Sequence, residues 1–108
     1  FNLEFAPALE RDLAPGATAQ VSMKVAGHAG LAGSVRWIGT RAPLPVTLSV
    51  NGSRVATGKP YSLGTDRGGS DVGGIARGGG QARLSVRNTS AVRVRVRLNL
   101  GLVRGQEK

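Results

Sequence analysis

Residues 78–103 read GGGQARLSVRNTSAVRVRVRLNLGLV, and their alternation decides the fold class. Along an extended chain Ala82, Leu84 and Val86 point one way, while Arg83, Ser85 and Arg87 point the other. After a break at Asn88 to Ala91, Val92, Val94, Val96, Leu98, Leu100 and Leu102 form one face. Arg93, Arg95, Arg97 and Asn99 form the opposite one. This spacing predicts a terminal hairpin with an apolar face and an arginine face. A register of Val86 with Val94 and Leu84 with Val96 keeps the apolar face continuous. It also sets Arg87 opposite Arg93 and Arg83 opposite Arg97, where like charges repel by up to about 1 kcal/mol unless an anion intervenes.

Working outward, the same period recurs upstream. Ala17, Ala19, Val21, Met23 and Val25 alternate with Thr18, Gln20, Ser22 and Lys24, the pattern of a half-buried strand. The segment 27–33, with three glycines, reads as a turn, and 34–38 as a strand with Val35 and Trp37 inward. Leu44, Val46, Leu48 and Val50 share a face and lead into Asn51-Gly52, a strong hairpin signal because both residues tolerate positive φ. Pairing Val50 with Ser53 would set Leu48 opposite Val55. Phe1, Leu3 and Phe5 alternate as an edge strand or an N-terminal arm over 1–12, and Leu9 to Leu13 could make a helical turn. Residues 58–80 hold many glycines and read as a long loop, with short edge segments at Tyr61 to Leu63 and Val72 to Ala76. Residues 104–108 read as a polar tail. No long helix and no βαβ alternation is evident. The expected fold is all-β, a single antiparallel β-sandwich of jelly-roll type over 1–108.

Composition bounds the rest. The 108 residues suit one domain, and 40 % are apolar but only 4 % aromatic, so the core must come from Val, Leu, Ala and Ile. The net charge is +9. It is uneven: residues 1–54 carry five basic and three acidic groups, and residues 55–108 carry ten and three. The second half should attract anions in a salt-dependent way. The chain has no Cys, which excludes disulfides, thiolate metal sites and Cys nucleophiles. No apolar run reaches the roughly 18 residues of a membrane-spanning helix. The chain starts at Phe1 without a signal peptide, which suggests a mature or excised piece of a longer protein.

No catalytic set stands out. His28 is the single histidine and sits in a glycine turn, where a surface or capping role outweighs a catalytic one. Asp66 and Asp71, in the glycine-rich segment, read as turn residues paired with Arg67 or Arg77. Calcium wants six to eight oxygens, so two carboxylates in a basic neighbourhood make a poor site, and no metal or cofactor is expected. The same two could form a glycosidase pair only if a rigid frame positioned them. Trp37 is read as core and Tyr61 as the exposed aromatic, so Tyr61, Asp66 and Asp71 form a candidate ligand loop. Arg83, Arg87, Arg93, Arg95 and Arg97 form a candidate surface for an anionic polymer or acidic partner, against the alternative of a solvated sheet face. That face lacks the aromatics of base-stacking sheets. Asn51-Gly52-Ser53 and Asn88-Thr89-Ser90 match the glycosylation sequon.

The segments LAPGATAQVSMKVAG, SVRWIG, LPVTLSVNGSRVATG and GGQARLSVRNTSAVRVRVRLNL, spanning Leu13 to Leu102, resemble the bacterial pre-peptidase C-terminal domain. There a Trp-bearing strand precedes one ending in Asn-Gly, and a glycine-containing segment leads to a final hairpin. The family often carries Asp in the strand at Leu44 to Val50, and this chain has none there. The resemblance implies a jelly-roll-like sandwich attached to exported bacterial proteins, often hydrolases, and lacking catalysis of its own. The expected function is therefore an accessory module binding a glycan or a protein. A domain that binds nucleic acid or acidic polysaccharide through its arginines is the alternative.

Overall fold

A computed structural model describes residues 2–104; Phe1 and the tail 105–108, with Glu107, lie outside the described residues. Among these, the chain forms ten strands and no helix. They are β1 (Asn2–Phe5), β2 (Leu9–Leu13), β3 (Thr18–Ala26), β4 (Ala29–Ile38) and β5 (Val46–Val50). Then follow β6 (Ser53–Thr57), β7 (Lys59–Ser62), β8 (Arg67–Ala76), β9 (Gly79–Arg87) and β10 (Val94–Arg104). The larger sheet runs β1-β10-β4-β8-β7, with β2 beside β1 along the same edge of β10. The smaller sheet runs β3-β9-β5-β6. All pairings are antiparallel, and the two sheets stack as a β-sandwich.

The expected terminal hairpin does not form. Val94, Val96, Leu98, Leu100 and Leu102 are buried as anticipated, as are Ala82, Leu84 and Val86. Yet β9 belongs to the smaller sheet, between β3 and β5, and β10 to the larger, between β4 and the N-terminal strands. The two apolar faces do not continue each other side by side; they face each other across the core. Facing sheets bury both faces fully, whereas a hairpin's single face would need a third partner. The link is built by Asn88, whose side chain donates to Leu13 O at 2.9 Å and Val92 O at 2.7 Å. Val92 itself lies outside the strand and is exposed.

Residues 58–80 also differ from expectation. Instead of a long loop they contain edge strand β7 and the ten-residue β8, which is interior, flanked by β4 and β7. Several of the glycines that obscured the alternation, Gly58, Gly68, Gly69 and Gly74, are sites where a neighbour lies close on the backbone. A Cβ on Gly68 would come 2.6 Å from Trp37 Nε1, and one on Gly69 would come 2.9 Å from the Tyr61 ring. Trp37 is core, as read, with its Nε1 unpartnered among the described residues. Residues 27–33 are mostly strand rather than turn, with Ala29, Leu31 and Gly33 inward. Leu84 of the opposite sheet packs on Gly33, where a Cβ would lie 2.8 Å from it.

The Asn51-Gly52 turn forms as read, with φ of 52° and 84°. Val50 pairs with Ser53, but a bulge sets Leu48 against Ala56 rather than Val55. Leu9 to Leu13 is a strand, not a helical turn: both N-terminal strands pair with β10 and form an edge of the sheet rather than a free arm.

Candidate functional site

Pairing along β10, β4 and β8 arranges the outer face of the larger sheet in rows. One row runs Glu10–Arg97–Arg36–Gly69–Tyr61. Arg97 and Arg36 are direct cross-strand partners, a like-charge pair tolerated because each has an acid on its far side. Glu10 Oε2 accepts from Arg97 at 3.2 Å, and Glu10 Oε1 accepts from Arg95 at 3.0 Å. Asp12 accepts from Arg95 at 3.2 Å. On the other side Arg36 donates to Asp71 Oδ1 at 3.1 Å and to Ser34 Oγ at 2.8 Å. Its guanidinium lies 5.2 Å from the Tyr61 ring centroid, in cation–π range. The Tyr61 hydroxyl stands 3.4 Å from both Asp71 oxygens. The Arg36 hydrogen bond holds the Asp71 carboxyl below the usual aspartate range, with Ser34 and Tyr61 adding to the effect. Burial raises the Tyr61 pKa, aided by Asp71 and opposed by Arg36.

The next rows make a groove. Gly101, Ala32 and Gly73 are successive cross-strand neighbours and form its floor; Phe5 pairs with Gly101 and lies on it. Asn99, Ser34 and Asp71 are the adjacent row and form a polar wall. The groove is open, with a volume of about 440 Å³. Phe5 is 72 % exposed, and the Asn99 amide has no hydrogen-bond partner among the described residues. The Phe5 ring covers Gly101, so the open floor is Ala32 and Gly73, on strands ~4.8 Å apart, with the ring as one side. An aromatic ring on one side and amide, hydroxyl and carboxylate on the other suit a ligand with one apolar face and a rim of hydroxyls.

The structure brings Tyr61 and Asp71 together but leaves Asp66 apart, in the β7–β8 turn, 3.7 Å from Arg67 Nε. Asp66 and Asp71 are five residues apart along an extended chain, roughly 17 Å between their Cα atoms, beyond the ~5–9.5 Å of a glycosidase pair. The five arginines do not share a face. Arg95 and Arg97 lie on the larger sheet, paired to acids; Arg83 and Arg87 project from the smaller sheet on the opposite side; Arg93 sits in the crossover. The physical reason is the crossover itself, which puts β9 and β10 back to back. On the smaller sheet Arg83 lies in the row Ser22–Arg83–Ser49–Arg54, beside the row Gln20–Ser85–Thr47–Thr57.

His28 is exposed in the β3–β4 turn, and no group of three His, Cys, Asp or Glu among the described residues could hold a metal ion. The Asn88 side chain is buried and bonded; the Asn51 amide bonds Gly79 O and Gln81 N. The sequence reading missed Phe5, Ser34, Arg36 and Asn99 as site residues. One signal was present for the charge ladder: Glu10-x-Asp12 and Arg95-x-Arg97 have matching period and opposite sign, as antiparallel partners do. No protein-family model matches the chain, and no curated protein matches it.

Proposed function

We propose that this protein is a non-catalytic binding module of an exported bacterial protein, and that it holds a sugar unit in the groove on its larger sheet. The observation that carries the reading is the groove's composition: Phe5 over a Gly101–Ala32–Gly73 floor, facing the Asn99–Ser34–Asp71 wall. A pyranose presents an apolar face for stacking and equatorial hydroxyls for amide and carboxylate groups. The Arg36 contact keeps Asp71 ionised and oriented as an acceptor. The resemblance to the pre-peptidase C-terminal domain supports an accessory role beside a larger enzyme.

The test is retention on insoluble neutral polysaccharides, followed by titration with soluble oligosaccharides. Phe5→Ala and Asn99→Ala should each weaken binding about tenfold, equivalent to ~1.4 kcal/mol, with little change in thermal midpoint because both side chains lie on the surface. Absence of retention on every polysaccharide tried, or retention insensitive to both substitutions, overturns the reading.

A further inference from the structure

Charge is segregated between the two sheets. Glu4, Glu10, Asp12, Asp66 and Asp71, the five acids among the described residues, all lie on strands of the larger sheet or in its β7–β8 turn. The ion pairs follow them: each joins Arg36, Arg67, Arg95 or Arg97 to one of these acids. The outer face of the smaller sheet carries Lys24, Arg54, Arg83 and Arg87, and none of these has an ion-pair partner among the described residues. We infer that this face is a docking surface for an acidic polysaccharide, at a site separate from the groove on the larger sheet.

Three observations favour that occupant. Arg83 and Arg87 stand on β9, an interior strand between β3 and β5. Edge cations blunt unwanted strand pairing, which accounts for Lys24 on β3 and Arg54 on β6 but not for the arginines on β9. The spacing is second. Arg83 and Arg87 are four residues apart, roughly 14 Å, and Arg83 and Arg54 are two strands apart, roughly 10 Å. Small anions would engage one of these at a time, whereas a polymer with repeated charges engages several. Third, the positions between the cations are hydroxyls and amides, such as Ser49, Ser85 and Gln20, with no aromatic among them. Sugar hydroxyls can bond to such groups, while a single-stranded nucleic acid would lack any ring on which to stack its bases. At one end the face runs into a hollow lined by Lys24, Asn51 and Gln81, which could seat one acidic group.

The experiment compares two double variants with the same change in charge. Arg83→Gln with Arg87→Gln alters the smaller sheet; Arg95→Gln with Arg97→Gln alters the larger. Binding to heparin, with dextran and a single-stranded DNA oligomer as controls, is measured by titration at several salt concentrations, and thermal melts check folding. The first variant should lose at least tenfold in heparin affinity and flatten the salt dependence; the second should change affinity less than twofold. Equal losses in the two variants would show that net charge alone drives retention and overturn the inference. Dextran binding as tight as heparin, or DNA binding tighter than heparin at equal salt, would overturn it as well.

Discussion

Asn88 is fully buried and uses every polar atom it has. Its amide donates to Leu13 O and Val92 O, its Oδ1 accepts from Ser90 N and Oγ, and its backbone bonds Ala17 and Gly16. It ties β2, the start of β3 and the β9–β10 crossover at one point. Asn88→Ala leaves two carbonyls without their donor, so we expect a loss of about 2–4 kcal/mol, read as a lower urea midpoint at unchanged slope. The sequon here reflects this geometry, because an amide committed to two carbonyls is closed to modification in the folded chain. Asp71 gives the second residue-scale prediction. Its folded pKa is depressed, chiefly by Arg36, so its contribution is present above the ordinary aspartate value near 3.9 and fades as pH falls through the lower folded value. Wild type should therefore be more stable than Asp71→Asn at pH 6, and the gap should close as pH falls through the lowered folded value in parallel denaturation curves. A gap that stayed constant with pH would mean that the carboxylate's charge is not what Arg36 uses.

At the scale of the element, β8 shows why composition can hide a strand. Seven positions of RGGSDVGGIA lack the side chains that mark an amphipathic alternation, being Gly, Ser or charged where pattern reading seeks Val or Ile. Its glycines follow the strand period nevertheless: Gly68 and Gly74 face inward, Gly69 and Gly73 outward. Gly68 accepts the Trp37 indole, which is buried on all sides. Gly68→Ala should cost about 1–3 kcal/mol by forcing the indole off its site. Gly73→Ala serves as the control, since its nearest neighbour would be Leu31 O at an ordinary 3.5 Å. Thermal melts should separate the two; equal melting points would mean that the Trp37 contact is not rigid. The same packing logic explains the missed length of β4, whose Gly33 is small because Leu84 and Val72 occupy the space beside it.

For the whole molecule, the division of charge between two faces is the feature with most consequence. The larger sheet combines acids, paired arginines and a groove, while the smaller sheet offers cations with no ion-pair partner among the described residues. Under the two proposals above, the two faces engage different polymers, and removing one site should leave the other intact. The sequence by itself determined which side chains turn inward, because the period of two is a local property of extended chain: Leu84, Val86, Val96, Leu98 and Leu100 are buried as their alternation requires. It also determined the Asn51-Gly52 turn, through positive φ. It could not determine which strand lies beside which. A hairpin of β9 with β10 and a crossover between sheets satisfy the same alternation, and only burial of both apolar faces against each other selects the second. That choice splits the arginine face in two, sets Glu10 and Asp12 beside Arg95 and Arg97, and brings Phe5 to Asn99 and Asp71 from distant parts of the chain. Which residues meet across strands depends on long-range pairing, and that is why the outline of the core was legible in the sequence while the candidate site was decided by the tertiary structure.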